Sequence, residues 1–277
     1  MTWTSTKGIS LLLLIGTLAF SAAASASPYV VDGDLADWLA GPPKGNASDW
    51  TPWSDHSLKW VVEDQNSSYL NPGYGGQPYD AEAIYIDLID DDLYIAVVTG
   101  RAPNAAGYPG GDIALNLNWV VGTEDASFEI GVITRDHDGF RSGDVVEVAE
   151  WYYGLWIEPD EYDPSGSSDY KSAHPVGVKS GDKLGKAELV YTEALYDGDS
   201  IARLGEYTGS HYVIETKLDL SVLGIDLGND PFLAHWTAWC ANDWIQVDPD
   251  PQSIPTPSTL FLLVPGFLGL FRLRRKV

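Results

Sequence analysis

The chain has 277 residues and a formal net charge of −24, with 40 Asp and Glu residues against 16 Lys and Arg residues. A surface this acidic repels nucleic acid and anionic lipid headgroups, so neither is an expected partner, whereas divalent cations and neutral sugars are compatible with it. The single cysteine, Cys240, excludes an intramolecular disulfide, so stability has to come from the apolar core or from bound metal ions.

The first 26 residues have the three parts of a secretory signal peptide. Lys7 supplies the positive charge, an apolar run extends from Ile9 to Phe20, and Ala24 and Ala26 form an A-x-A cleavage site. We therefore expect residues 1–26 to be removed during export, which leaves a mature chain that begins near Ser27.

Residues 27–253 predict an all-β fold, a single antiparallel β-sandwich. Apolar residues alternate with other residues on both sides of the acidic turn at 90–92, which predicts a hairpin with one buried face. We expect the inner faces of the sandwich to include Ile84, Ile86, Leu93, Ile95, Ile113, Leu115 and Ile214. Clusters of Gly, Pro, Asp and Ser predict loops at 41–49, 71–80, 101–111 and 159–185. Leu220–Gly224 is the one short helical candidate.

Three stretches of the body resemble known exported domains. The opening from Tyr29 to Trp38, with Asp32-Gly33, Leu35 and Asp37-Trp38, resembles the V-D-G-x-L-x-D-W stretch of family 9 carbohydrate-binding modules and their DOMON-like relatives. The hairpin 83–98 is similar to a second hallmark of that family. The stretch 236–243 resembles the closing strand of other exported domains. The resemblance implies a β-sandwich and a sugar ligand.

Aromatic residues are the first candidates for a binding site. A sugar ring stacks its apolar face on an aromatic plane, while neighbouring amides and carboxylates bond its hydroxyl groups. The candidate sugar-binding residues in or beside polar loops are Trp50, Trp53, Tyr74, Gln77, Tyr79, Asp80, Trp151, Tyr152 and Trp156. The alternative is that these rings fill the ends of the sandwich core.

Acidic residues are the second candidates. Asp136, Asp138 and Asp144 surround two glycines, and a tight loop that gathers several oxygen ligands is what Ca²⁺ requires. These three residues predict a structural Ca²⁺ site, which the related modules also imply; the alternative is that they are solvated turn residues. No motif singles out a pair of carboxylates for glycoside hydrolysis, so no catalytic residue is predicted.

The last 24 residues, 254–277, combine a proline-containing entry, an apolar segment and a basic end. Pro255 and Pro257 precede a predicted transmembrane helix at 259–271. Arg272, Arg274 and Arg275 in the basic tail 272–277 would stay on the cytoplasmic side. This pattern resembles the PEP-CTERM sorting signal, with Thr256 at the position of the usual Glu. The resemblance implies recognition by an exosortase and transient anchoring in the inner membrane.

Together these patterns predict an exported protein of the cell surface or extracellular matrix. Its expected role is non-catalytic carbohydrate binding with exopolysaccharide, with a neutral polysaccharide and an exosortase as partners. Two alternatives remain open: a structural matrix or adhesion protein without a small ligand, and a polysaccharide-processing hydrolase.

Replacing Arg272, Arg274, Arg275 and Lys276 with Ser should abolish sorting, because the positive cluster sets the orientation and the stop of the segment. Cell fractionation and the mass of the recovered protein provide the measurement. We expect a mislocalised or uncleaved product, and unchanged surface delivery would contradict the prediction.

Overall fold

Eleven β-strands in two antiparallel sheets make up almost all the regular structure of the described residues. The computed structural model describes residues 29–39, 50–52, 58–62, 76–118, 127–153, 174–193, 211–224, 232–241 and 243–248. The strands are β1 (Lys59–Val62), β2 (Ala81–Ile89), β3 (Asp92–Thr99), β4 (Ile113–Asn116), β5 (Ile130–Val132), β6 (Asp144–Tyr152), β7 (Gly177–Lys186), β8 (Glu188–Glu193), β9 (Tyr212–Asp219), β10 (Leu233–Thr237) and β11 (Trp244–Val247). Helix is limited, within these residues, to α1 (Ala36–Leu39) and short 3-10 turns at Gln77–Tyr79 and Leu220–Val222.

The two sheets share one apolar core. Sheet 1 has the strand order β1-β2-β3-β9-β8, and sheet 2 has the order β11-β10-β4-β5-β6-β7. Side chains from both sheets fill the space between them. The predicted all-β fold with two antiparallel sheets is thereby confirmed.

The β2–β3 hairpin forms with the predicted register. Ile86 lies opposite Ile95 and Leu88 lies opposite Leu93, so the apolar residues of both strands share one face. The turn places Asp90 at a φ of 54°, a left-handed conformation that Asp adopts more easily than most residues. All seven residues predicted for the inner faces lie in the shared core: Ile84, Ile86, Leu93, Ile95, Ile113, Leu115 and Ile214.

The N-terminal segment, residues 29–39, covers a second apolar cluster on the outer face of sheet 1. Trp38 is buried there, and Tyr29 stacks on it with 4.0 Å between the ring centroids. The hydroxyl group of Tyr29 also donates a hydrogen bond to Asp87 on β2 at 2.9 Å. The sheet is therefore apolar on both faces, and the segment removes the outer face from water.

Glu215 on β9 holds this segment in place. Its carboxylate accepts hydrogen bonds from Nε1 of Trp38 at 2.7 Å and from the backbone N–H groups of Asp32, at 3.0 Å, and Gly33. Gly33 has a φ of 89°, and a Cβ at this position would collide with Thr192. Burial raises the pKa of Glu215 to about 7, although these hydrogen bonds favour its charged form.

The sequence predicts a loop at 159–185, but the last part of this range is wrong, because the structure forms β7 there. Gly177–Lys186 is an edge strand that pairs with β6, although its sequence is polar and contains three glycines. Main-chain hydrogen bonds do not depend on side-chain type, and an exposed edge strand needs no continuous apolar face. Gly181 is suited to this strand because a Cβ there would collide with the main chain of Glu147.

Part of the β6–β7 hairpin folds over the outer face of sheet 2. Shifts in register between Val148 and Trp151 mark β-bulges, which bend the strand. Trp151 and Val178 then pack over Gly131 on β5, where a Cβ would collide with Val178. Together with Phe128 they belong to a third apolar cluster on this face.

The two predicted targeting segments, residues 1–26 and 254–277, lie outside the described residues. Within the described part of the chain, no helix is long and apolar enough to cross a membrane. The signal peptide and the sorting helix therefore stay predictions.

Replacing Ile95 with Ala should lower the free energy of unfolding by about 2–5 kcal/mol, because Ile95 is fully buried between the sheets. Urea denaturation of the purified protein measures the change. Val30, which is 59% exposed, provides the control, since Val30→Ala should change stability by less than about 0.5 kcal/mol. Equal stability of Ile95→Ala and the wild type would contradict the position of Ile95 in the core.

Candidate functional site

Two of the predicted sugar-binding rings are buried by the fold. Trp50 is 1% exposed and packs in the cluster on the outer face of sheet 1, where its carbonyl accepts a hydrogen bond from the hydroxyl group of Tyr85. Trp151 is 8% exposed, and its Nε1 donates to the carbonyl of Phe128 at 2.8 Å. The prediction that both rings line an exposed platform does not fit their burial, because each one fills the apolar outer face of a sheet.

Other predicted residues belong to the loop before β2 or lie outside the described residues. Tyr79 packs against the shared core, with Cζ of Arg101 4.3 Å from its ring centroid. Asp80 is fully buried, and its carbonyl accepts a hydrogen bond from the backbone N–H of Gly100 at 3.0 Å. Gln77 lies in the 3-10 turn. Trp53, Tyr74 and Trp156 lie outside the described residues. Of the predicted set, Tyr152 alone remains as a described, partly exposed ring at the site defined below.

The predicted calcium ligands do not converge on one point. Asp138 and Gly139 have φ values of 45° and 89° and form the tight turn of a short hairpin. Asp136 pairs with Arg141 at 2.6 Å, and Asp144 pairs with Lys183 at 2.6 Å. Among the described residues, no group of three or more His, Cys, Asp or Glu side chains could hold a metal ion. The structure assigns these three acids to a turn and its ion pairs instead.

A mixed aromatic and cationic cluster lies at one end of sheet 2. We call it the Trp239 cluster, and its members are Arg135, His137, Tyr152, Lys179 and Trp239. Cζ of Arg135 lies 4.7 Å from the ring centroid of Trp239, and the rings of Tyr152 and His137 lie 5.2 Å and 5.5 Å from it. Nζ of Lys179 lies 5.8 Å from the ring of Tyr152. Trp239 and Tyr152 are both partly exposed, so ring surface is open to solvent.

Main-chain contacts hold the cluster in a defined geometry. The backbone N–H of Trp239 donates to the carbonyl of Pro109 at 2.9 Å, and Nε of Arg135 donates to the carbonyl of Gly110 at 3.2 Å. Gly177 lies against the Trp239 ring, and a Cβ at this glycine would be 2.8 Å from a ring carbon. The ring can therefore lie flush against the backbone, which fixes its orientation before any ligand arrives.

Asp112 connects the elements that carry the cluster. Its fully buried carboxylate accepts hydrogen bonds from the backbone N–H groups of Thr134 at 3.0 Å and Val178 at 2.9 Å. The same carboxylate lies 2.8 Å from Nε2 of His137, and Asp138 lies 3.1 Å from Nδ1. Burial acts to lower the pKa of His137, but the bonds to Asp112 and Asp138 outweigh it and raise this pKa above its ordinary value.

Arg101 stabilises the loop next to the cluster. Its Nε donates to the carbonyl of Tyr108, while its two terminal nitrogens donate to the carbonyls of Pro78 at 3.2 Å and Ala106 at 3.0 Å. Tyr108 is 39% exposed and directly precedes Pro109, whose carbonyl binds Trp239. The loop thus presents a further aromatic side chain from a rigid support.

This arrangement has the chemistry of a site for a flat, hydroxyl-bearing ligand. Tyr152 and Trp239 offer apolar ring surface, and Arg135 and Lys179 offer hydrogen-bond donors around it. These four residues lie on loops or near strand ends, and the hydrogen bonds of the buried Asp112 support those segments. Such preorganised loops on a rigid scaffold are where binding residues concentrate.

Sequence reasoning overlooked Trp239, Arg135 and His137 as site residues. Trp239 was visible in the 236–243 stretch, and strand alternation offered a signal, because Trp236 points into the shared core and Trp239, an odd number of residues away, does not. Arg135 and His137 carried no comparable signal. Their proximity to Trp239 depends on how β5 and β10 end, which residue spacing does not encode.

Two buried histidines lie on the outer face of sheet 2. His174 and His235 have ring centroids 5.3 Å apart, and His174 stacks on Trp244 at 4.4 Å. Burial lowers the pKa of His174 to about 3 and also lowers that of His235. Both rings are therefore neutral in the folded protein at neutral pH.

Comparison with known proteins adds no family assignment. No protein-family model matches the chain, and no curated protein matches it either. The class of protein is therefore defined by the fold and the site: an antiparallel β-sheet protein with an aromatic and cationic cluster at one end.

Lowering the pH should destabilise the protein through His174. Above pH 6.5 this ring is neutral in both states, but below it the unfolded chain gains a proton that the folded chain resists, so stability falls with pH. His174→Phe keeps the stacking and removes the titration. Between pH 7.5 and pH 5, the wild type should lose about 2 kcal/mol more unfolding free energy than the variant, as measured by urea denaturation.

The wild type has to be compared with His174→Phe because the titration of Glu215 changes stability in the opposite direction. Its raised pKa adds stability that is present at low pH and is lost as the pH rises towards 7. Glu215 is common to both proteins and cancels in the difference. Parallel pH profiles for the wild type and His174→Phe would contradict the predicted role of His174.

Proposed function

We propose that this chain is an exported, non-catalytic carbohydrate-binding protein that acts with exopolysaccharide at the cell surface or in the extracellular matrix. The Trp239 cluster is the proposed binding site. The body is proposed to be a sandwich of the type found in family 9 carbohydrate-binding modules and DOMON-like domains. An exosortase is the proposed partner in sorting.

The observation that carries this proposal is the pairing of Trp239 and Tyr152, 5.2 Å apart, beside the donors of Arg135 and Lys179. Folding alone places most large rings in the interior, as it does with Trp38, Trp50 and Trp236. A rigidly held, partly exposed aromatic pair with polar neighbours is the arrangement that binds the apolar face and the hydroxyl groups of a sugar together.

The N-terminal motif supports the proposed relationship through its structural role. The glycine and tryptophan of the V-D-G-x-L-x-D-W stretch, Gly33 and Trp38, attach the segment to Glu215. Asp37 accepts a hydrogen bond from the backbone N–H of Val30 at 2.7 Å and closes the same segment on itself. Each of these motif residues has a role in folding, so we assign ligand binding to the loops around Trp239.

The proposed location depends on the two terminal segments. A positively charged start, an apolar run and an A-x-A site precede the body, and an apolar run with a basic end follows it. The strong negative charge of the chain keeps such a body soluble outside the cell and favours a neutral glycan at long range.

Glycan binding should depend on the rings of the Trp239 cluster. We expect Tyr152→Ala and Trp239→Ala to weaken binding about tenfold or more, which corresponds to the loss of roughly 1.4 kcal/mol of stacking. The measurement is titration calorimetry of the purified full-length chain against neutral oligosaccharides chosen from a glycan array. Circular dichroism and urea denaturation identify variants that fail to fold.

Trp60→Ala is the matched control. Trp60 is 43% exposed and lies on β1, the edge strand of sheet 1, so it tests whether any exposed tryptophan contributes. Its removal should leave binding unchanged. If no glycan binds at millimolar concentration, or if Trp60→Ala weakens binding as much as Tyr152→Ala, the proposed site is wrong; self-association without glycan binding would favour a structural matrix protein.

A further inference from the structure

Arg135 differs in its ion pairing from the other Lys and Arg side chains of residues 134–153 and 174–187, the ranges that carry most of the Trp239 cluster. Its Nε binds a carbonyl and its guanidinium lies on the Trp239 ring, but among the described residues no carboxylate lies within 4 Å of it. The other four Lys and Arg side chains of these ranges each have a carboxylate partner: Arg141, Lys179, Lys183 and Lys186. Arg135 thus keeps its terminal N–H groups available in a chain that is rich in acids.

The two acids beside Arg135, Asp112 and Asp138, both bond to His137. Asp112 and Asp138 contact its two ring nitrogens at 2.8 Å and 3.1 Å, and both contacts favour the protonated imidazole. Asp112 also accepts hydrogen bonds from two backbone N–H groups, so three contacts engage its two oxygens. A protonated His137 offsets one of these two negative charges, and no ion pair among the described residues joins either acid to Arg135.

Charge is distributed unevenly over the described residues. Five of the eight described Lys and Arg residues lie in the ranges 134–153 and 174–187, beside six Asp and Glu residues. The remaining three face seventeen Asp and Glu residues elsewhere. With the adjoining Asp112 counted in, these two ranges hold five cations against seven acids, which is close to balance, while the other described residues hold three cations against sixteen acids. At physiological salt that distant charge is screened beyond about 8 Å.

We propose that the Trp239 cluster binds a carboxylated sugar, a uronic acid unit of an acidic polysaccharide, through Arg135. The planar guanidinium is held by the Trp239 ring and by the carbonyl of Gly110, so its terminal N–H groups are preoriented to grip a carboxylate with two parallel hydrogen bonds. Tyr152 supplies the adjacent apolar surface for the sugar ring. This inference rests on the proposed function and names its substrate class.

A matched pair of ligands tests the inference. Oligogalacturonate carries a carboxylate on each ring, and its fully methyl-esterified form has the same rings without the charge. Titration calorimetry of the full-length chain is run with both ligands in EDTA, so that no bridging Ca²⁺ contributes. We expect the acid form to bind about tenfold or more tightly than the ester, as a charge-assisted bidentate contact implies.

Variants on the same hairpin locate the contact. Arg135→Gln should weaken binding of the acid form about tenfold more than it weakens binding of the ester, which loses only a neutral donor contact, and Arg135→Lys should have an intermediate effect because it keeps the charge without the fork. Arg141→Gln is the control, since Arg141 is exposed and already paired with Asp136. It should change neither affinity.

Each outcome decides between the two proposals. Equal binding of acid and ester would keep carbohydrate binding and overturn the role of Arg135. Equal weakening by Arg141→Gln and Arg135→Gln would attribute binding to diffuse charge and also overturn that role. No binding of the acid, the ester or any neutral oligosaccharide would overturn both proposals. If Arg135→Gln does not fold, the acid-to-ester ratio of the wild type and the Arg135→Lys variant still decide.

Discussion

The buried carboxylate of Asp112 is the interaction on which the proposed site depends. A charge removed from water costs several kcal/mol unless hydrogen bonds replace the lost solvent, and Asp112 receives them from Thr134, Val178 and His137. These three partners come from the end of β5, the start of β7 and the hairpin tip. Satisfying one acid therefore brings together the three segments that carry Arg135, His137 and Gly177, and it sets the position of Trp239 against Gly177.

Many of the aromatic residues are buried because they cover the apolar faces of the two sheets. Each sheet is apolar on both sides, so the chain builds two outer clusters in addition to the core between the sheets. Trp38 and Trp50 serve the outer face of sheet 1, and Trp151 serves that of sheet 2. Trp239 and Tyr152, which are partly exposed at the end of sheet 2, belong to none of these three clusters. An abundance of aromatic residues in the sequence is by itself no measure of binding surface.

The net charge of the whole chain and the local charge at the Trp239 cluster favour different ligands. The total of −24 favours neutral partners at long range, yet binding takes place over a few ångströms, where the nearest groups dominate. At the Trp239 cluster, His137 lies between Asp112 and Asp138, and Arg135 is left without a carboxylate partner among the described residues. An acidic protein can thus carry a site whose local chemistry suits an anion, because the acids beside Arg135 are bonded to His137 instead.

Strand alternation in the sequence was sufficient to determine the all-β class, the β2–β3 hairpin and the inner face of the core, because period-two patterning follows directly from the geometry of a strand with one buried face. It could not identify β7, whose pairing depends on main-chain hydrogen bonds to β6, or the burial of Trp50 and Trp151, which depends on which segments cover the outer faces. The acids 136, 138 and 144 had the composition of a metal site, but only tertiary structure showed that Arg141, Lys183 and a tight turn engage them. The candidate site itself, with Arg135 and His137 around Trp239, arises from contacts between residues about 100 positions apart, and such contacts are set by the packing of strands and not by local sequence.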